Sequence, residues 1–402
     1  MHYTESSQNV KWQLASCKEL NLLRERSNKR ARDVLSCETV GGTVDASATN
    51  KDTSHAYGFS ETFKREKEVD GACLEAADEE LMGESDPAYG PSLTSAQRGN
   101  NPMLTPAEET SLITFYCSKI PLLIGPHATL PRCKRDAKVS ATACLLFRRF
   151  YLSNSVMMFD PKAMLAAAAF LASKVEDCTI SVKYLELGTQ EMSAEVKVSE
   201  ILEAEVKLIT GVDFDLLVFS PYKTVLSYTE DLRTFLKTEK GQKLVAFSAD
   251  DGGVDRQLDG KDLSPTHDAA MKIVDDAIVS DLPLLFGPGE VGLAALMVGN
   301  ERVRNRNDDS DSIPQIDFMG YIRLRFQDAD AADQEAIDSV TQRISKLVQM
   351  IRELDKGRHG CGNHGVDMEQ LKGINKRLKK CRIWGQSDKK KKKKKRKAES
   401  QE

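Results

Sequence analysis

Two charged side chains stand where helical periodicity reserves apolar ones. The segment 194–211 carries an apolar stripe at Val198, Ile201, Leu202, Leu208, Ile209 and Val212, and Glu205 falls in its middle. Lys174 closes a second apolar segment, 161–175, one turn after Phe170 and Leu171. A charge on a core face is costly unless it is paired. An internal Lys–Glu bridge meets that demand, and so does a side chain that reaches out to water. A pair held at the rim of an apolar patch and offered to another protein meets it equally. Spacing alone does not separate these readings.

Other groupings are weaker. Gly287-Pro288-Gly289-Glu290-Val291-Gly292 has the G-x-G-x-x-G spacing, but dinucleotide binding needs a preceding strand in a βαβ unit. The residues before it read as the end of a helix followed by Leu282-Pro283-Leu284-Leu285-Phe286, so a helix–helix turn is expected. His359, Cys361 and His364 cluster, yet a zinc site needs four ligands in paired spacing and no second pair stands near, which favours a solvated turn. Nucleophile-elbow, HExxH and Walker patterns are missing. No catalytic residue, metal ligand or cofactor is therefore expected. The run Lys389, Lys390, Lys391, Lys392, Lys393, Lys394, Lys395, Arg396, Lys397 suits either nuclear import or contact with phosphates. It holds no aromatic residue for base stacking, and we read it as an import signal that places the chain in the nucleus.

The elements that must position Lys174 and Glu205 are helical. Thr105-Pro106-Ala107-Glu108 combines a cap, a proline at the first helical position and a capping-box glutamate. Asp160-Pro161, Ser220-Pro221 and Ser264-Pro265 repeat the punctuation. Val139, Thr142, Leu146 and Phe150 share one helical face, as do Ala270, Ile273, Ala277 and Ile278, while alternating strands are scarce. The fold class is all-α. Segment 161–175 is apolar all round and rich in alanine, which marks a helix buried on every side. A fainter copy runs from Pro288 to Val298, and each copy follows an amphipathic helix, 138–152 or 268–280. Two helical repeats are expected, about 105–214 and 218–356.

Around them lie a short basic helix at 18–34 with Leu20, Leu23 and Val34 apolar, and a disordered insert at 38–100 too poor in large apolar residues to offset its ordering entropy. A surface loop is expected at 241–266. Residues 337, 340, 344, 347, 351 and 354 form a stripe too short for a sustained coiled coil, and a basic helix follows at about 366–384 with Leu371, Ile374, Leu378 and Cys381 on one side. By domain, the expected limits are 1–37, 38–100, 101–217, 218–356, a C-terminal helix at 357–385 and a basic tail at 386–402.

Bulk properties agree. The 402 residues are 40% hydrophobic with a net charge of −4, enough for two modest cores and no general polyanion-binding balance. Nine cysteines without a C-x-x-C pair read as reduced thiols. Neither a signal peptide nor a bilayer-spanning run is visible, so a soluble intracellular protein without membrane contact is expected.

The run Lys138-Val-Ser-Ala-Thr-Ala-Cys-Leu-Leu-Phe-Arg-Arg-Phe-Tyr-Leu-Ser-Asn-Ser-Val156 and the segment Phe170-Leu-Ala-Ser-Lys-Val-Glu176 resemble a cyclin box, of the cyclin H type. Ser6-Ser7-Gln8 with Trp12, and Leu104–Tyr116, extend the resemblance to about 1–33 and 101–384. It implies two five-helix cyclin repeats with extra terminal helices, and a subunit that activates a cyclin-dependent kinase without supplying a catalytic atom. It assigns the kinase-contacting lysine to Lys174 and the glutamate to Glu205, with Val175, Ile209, Phe214 and Leu216 as apolar contacts. It also implies a cyclin-dependent kinase catalytic subunit, a RING-type assembly factor and TFIIH as partners, with nucleic acid met only indirectly, in cell-cycle control and transcription by RNA polymerase II. The 38–100 insert is outside the family pattern, and the Met-Arg-x-x-x-Leu docking patch of cell-cycle cyclins is missing. Another transcriptional cyclin, a cyclin-fold DNA-binding factor and a nucleotide-dependent enzyme are the alternatives.

Overall fold

The computed structural model describes residues 2–40, 103–246, 262–306, 314–325, 331–361 and 367–382. The chain divides into two compact units, Cys17–Leu216 with Val366–Glu402, and Met1–Ser16 with Leu217–Gly365.

The first unit is built on α1 (Cys17–Val40), α2 (Pro106–Cys117), α3 (Ile120–Ile124), α4 (Ala137–Ser153), α5 (Pro161–Val175), α6 (Val182–Glu191), α7 (Val198–Gly211) and α15 (Met368–Cys381). Helix α5 is its post. Every residue from Met164 to Ser173 is buried, and α2, α3, α4, α6 and α7 all pack on it. Alanine at 166 to 169 lets those neighbours approach on each side, as the all-round apolar pattern required. The expected starts are present at two caps. Thr105 Oγ1 accepts the Glu108 N–H at 3.3 Å while Glu108 Oε2 accepts the Thr105 N–H at 3.0 Å, and Asp160 Oδ1 accepts the Lys162 N–H at 2.9 Å.

Boundaries shift where tertiary packing overrides local signals. Helix α7 begins at Val198 rather than 194, because the Glu200 carboxylate accepts the Lys197 N–H at 2.9 Å and fixes the first turn there. In α1, Ala31 and Leu35 are buried whereas Val34 is exposed, so the core row runs 20, 23, 31, 35. Helix α1 also takes in residues 38–40 of the expected insert, and the remainder of that insert lies outside the described residues. Under α2 a polar cluster is buried. Glu109 accepts the Ser155 hydroxyl, and Asn28 Nδ2 donates to the Leu104 carbonyl at 2.9 Å. Burial pushes the Glu109 carboxyl up to about 7, against hydrogen bonds from Ser155 and Asn28 that pull the other way.

The second unit holds α8 (Pro221–Phe235), α9 (Glu239–Gln242), α10 (Ser264–Val279), α11 (Leu282–Leu285), α12 (Pro288–Arg306), α13 (Phe318–Arg325) and α14 (Ala331–Cys361). Its post is α12, buried from Val291 through Asn300 except for half-buried Met297, with α8, α10, α11 and α14 packed on it. Ser220 caps α8 by accepting the Tyr222 N–H at 3.4 Å. Ser264 is not the cap expected of it. Leu263 is drawn into the core in helical conformation, so α10 begins at Ser264 without a side-chain cap.

The glycine motif is a helix–helix turn as expected. Helix α11 precedes it, and the Glu290 carboxylate accepts the Gly287 N–H at 2.7 Å while binding Arg343 of α14 at 2.7 Å. The 337–354 stripe packs on α12 as a bundle helix, with Val340 and Leu354 left exposed. One feature was not anticipated. Val245 and Ala246 pair antiparallel with Ile316 and Gln315, so the expected 241–266 loop begins with the end of α9 and a strand, and residues 247–261 lie outside the described residues. Buried Asn300 holds that pair to α12 by bonding the Pro314 carbonyl at 3.0 Å and the Ile316 N–H at 3.4 Å.

The N-terminal segment belongs to this unit. Gln8 clamps the backbone before α8, donating to the Phe219 carbonyl at 3.2 Å and accepting its N–H at 2.7 Å. Trp12 and Leu14 are buried, and the Leu14 N–H bonds the Leu284 carbonyl at 2.7 Å.

Candidate protein-docking face

Helices α5 and α7 pack against each other, and their packing brings Lys174 to Glu205. Lys174 Nζ donates to Glu205 Oε1 at 2.7 Å and to Oε2 at 3.0 Å. The bridge that spacing left open is therefore present within the chain. It is asymmetric: the Lys174 side chain is 42% exposed and that of Glu205 only 10%. The ammonium also lies 3.9 Å from the centre of the Phe170 ring, one helical turn back. The charge of Glu205 is thus compensated in its half-apolar setting, while the half-exposed lysine, with three N–H groups, keeps one beyond the two given to Glu205.

Helix α5 is stopped beside this pair. Its last turn closes with the Asp177 N–H on the Lys174 carbonyl at 3.2 Å and the Cys178 N–H on the Ser173 carbonyl at 2.9 Å, with Asp177 left-handed at φ 53°. Glu176 is tied inward by the Thr142 hydroxyl at 2.6 Å and by Lys138. Val175, between the two charges, is half-buried.

Helix α7 presents two rows. Ile201, Ala204, Leu208 and Val212 are buried. Leu202, assigned to the core from spacing, is exposed, and Val206 is 66% exposed. With half-buried Ile209 they form an i, i+4, i+7 row beside Glu205, offset from the core row. Spacing merged the two rows because residues 201 and 202, and 208 and 209, are adjacent in sequence. Val206 continues that row, and the 202/206/209 interval is readable in the sequence.

After α7 the backbone does something costly. Asp213 and Phe214 are both left-handed, at φ 52° and 60°. A bulky residue in that region is a true outlier, with a cost on the order of 1–2 kcal/mol. The turn is held by the Phe214 N–H on the Ile209 carbonyl at 3.0 Å, the Leu216 N–H on the Phe214 carbonyl at 3.0 Å, and buried Arg149 on the Asp215 carbonyl at 3.1 Å. The result is a Phe214 ring 70% exposed beside Ile209, with Leu216 half-buried. Lys174 and Glu205 thus touch directly, and Ile209, Phe214 and Leu216 are linked through the backbone.

The remaining sequence candidates divide simply. The import run 389–397 and His364 lie outside the described residues, as do the side chains of His359 and Cys361. Among the described residues no group of His, Cys, Asp and Glu is arranged to hold a metal, and no helix is long and apolar enough to cross a membrane.

Known proteins share this architecture. The family described as cyclin, N-terminal domain, matches residues 132–217. Cyclin-H1-1 of Arabidopsis thaliana is 26% identical over 280 residues, 69% of this chain and 68% of the relative. Cyclin CCL1 of Saccharomyces cerevisiae is 31% identical over 203 residues, 50% of this chain and 44% of the relative, so the match spans under half of that protein. A chain in the CAK complex of Chaetomium thermophilum bound to ATP-γ-S superposes with a TM-score of 0.60 at 23% identity, covering 94% of this chain and 88% of that one. The all-α fold read from the helix starts is thus the cyclin fold.

Proposed function

We propose that this cyclin-fold chain is the non-catalytic regulatory subunit of a cyclin-dependent kinase of the CDK-activating type, and that it docks the kinase with Lys174, Val175, Glu205, Ile209, Phe214 and Leu216. Its similarity to cyclin H proteins supports the kinase class. One observation carries the choice of face: Phe214 is held in a strained left-handed conformation yet stays 70% exposed. A residue that contributes strain and little burial serves the fold poorly, and such outliers gather at sites that meet a ligand.

The chemistry of the face fits the task. Its aromatic anchor and apolar row have the composition of an interface centre, and the Lys174–Glu205 pair adds a charged contact beside them with one ammonium N–H left over. A free kinase of this class has its αC helix swung out and its Lys–Glu pair broken. The chain acts by binding the αC-in state more tightly, which shifts the population toward it. Moving that equilibrium from one per cent to ninety-nine per cent requires about 5.5 kcal/mol of differential binding. A few buried anchors of about 2 kcal/mol each suffice.

In this reading the chain works in the nucleus, brought there by 389–397, within a trimer completed by a RING-type assembly factor, as part of TFIIH. The kinase it activates phosphorylates the activation loops of other cyclin-dependent kinases and the RNA polymerase II C-terminal repeats. Reconstitution tests it. Mixing the chain with a candidate kinase subunit is expected to raise phosphorylation of a second kinase's activation loop, while the chain alone transfers no phosphate. Failure to stimulate the kinase subunit of any CDK-activating complex would remove the proposal.

A further inference from the structure

Helix α15 carries a second surface, separate from the docking face. Its apolar side, Leu371, Ile374, Leu378 and Cys381, is buried, and it packs on α2. Arg377 is fixed there by Glu108. The opposite side holds Lys372, Lys376, Lys379 and Lys380, all exposed.

The placement of these lysines is unfavourable for the free helix. Cations in a last turn complement the helix dipole, which accounts for Lys379 and Lys380 but not for Lys372 and Lys376. Lys376 has Lys372 four residues before it and Lys379 and Lys380 three and four after it, with Gly373 as its remaining neighbour. Like charges at i, i+4 destabilise a helix by about 0.2–0.5 kcal/mol per pair. Glu369, three residues before Lys372, is the lone acidic side chain within α15. A polyanion laid along this row would turn repulsion into attraction.

We propose that the exposed lysine row of α15 binds the phosphate backbone of duplex nucleic acid without reading its sequence. The row advances by about 6 Å per four residues along the helix, against a duplex that offers one phosphate charge per about 1.7 Å of axis. Lysine gives point charges rather than the bidentate fork that selects a base or a carboxylate. No aromatic side chain lies in the row for stacking, and only Met368 at its start is apolar and exposed. An acidic protein segment would need apolar anchors to be selected, and the row offers none beyond that methionine. The row shares no residue with the proposed kinase-docking face or with the run 389–397.

The test uses the full chain with residues 389–397 replaced by serine, so that the tail contributes nothing, and a labelled mixed-sequence DNA duplex as probe. Binding is expected to weaken with salt at a log–log slope of about −3 to −4, the value for four lysines. Adding Lys372→Gln, Lys376→Gln, Lys379→Gln and Lys380→Gln is expected to lower affinity by about tenfold or more while the melting temperature holds or rises, because repulsion is relieved. Equal duplex binding by the two proteins would overturn the proposal. So would displacement of the duplex by poly-glutamate as effectively as by unlabelled duplex, which would make the occupant an acidic protein.

Discussion

Lys174→Ala removes the cation from a glutamate that is nearly buried, whereas Lys174→Ala with Glu205→Ala removes the demand altogether. The single substitution is therefore expected to destabilise the chain by about 1–2 kcal/mol, and the double by less, in denaturant titrations of both. A double substitution that costs the sum of the singles would mean the pair is not coupled. Phe214→Gly works the other way. Glycine relieves the left-handed strain and little burial is lost, so stability is expected to hold or rise by about 1 kcal/mol while kinase affinity falls. Glu109 adds a pH dependence. Its carboxyl is raised from 4.5 to about 7 by burial, so the folded chain binds that proton more tightly than the unfolded one. Its contribution is most favourable below the unfolded value and is lost as pH climbs toward 7. Glu109→Gln is expected to raise the melting temperature relative to the parent by an amount that grows between pH 5 and 7 and then levels, and a pH-independent difference would contradict the assignment. At this scale the sequence showed that Glu205 was misplaced, since one helix's period suffices for that. Its bridge to Lys174 depends on how two helices cross, and the strain at Phe214 on two backbone bonds and the Arg149 side chain, which no spacing encodes.

Helix α7 shows how far periodicity carries at the next scale. Its core row and its solvent row were merged into one stripe, because residues 201 and 202, and 208 and 209, lie about 100° apart and only packing on α5 decides which is inward. Gly211 ends the helix where a Cβ would meet the Phe150 ring at 2.6 Å. Gly211→Ala is expected to destabilise the chain by about 1–3 kcal/mol in thermal or denaturant melts, through overpacking between α7 and α4. No loss of stability would mean the ring yields freely. Caps were the most legible feature. Thr105, Asp160 and Ser220 act locally and stand where the dipeptides placed them, while Ser264 does not, because burial of Leu263 extended the helix backward. The Val245–Ile316 pairing was invisible for a related reason. Two-residue strands have no period, and theirs is fixed by Asn300 far away in sequence.

Across the whole molecule, the two alanine-rich segments foretold two buried posts, α5 and α12, one in each unit. Composition does not say which unit the ends join. Residues 2–16 belong with the second post through Gln8 and Trp12, and α15 belongs with the first through Leu371, Ile374 and Leu378. Both attachments use long-range contacts, which sequence spacing cannot anticipate. The six residues of the proposed docking face all lie in the first unit, on α5, on α7 and in the turn after it. The most direct measurement is therefore the affinity of a cyclin-dependent kinase subunit for the parent chain and for Lys174→Ala/Glu205→Ala, with melting temperatures recorded in parallel. The account predicts a loss of about tenfold or more in affinity, which is about 1.4 kcal/mol or more, and a stability change of no more than about 1 kcal/mol, as for a half-exposed ion pair. Unchanged kinase affinity and activation by the double variant would contradict it, and would leave the Lys174–Glu205 bridge a purely internal contact.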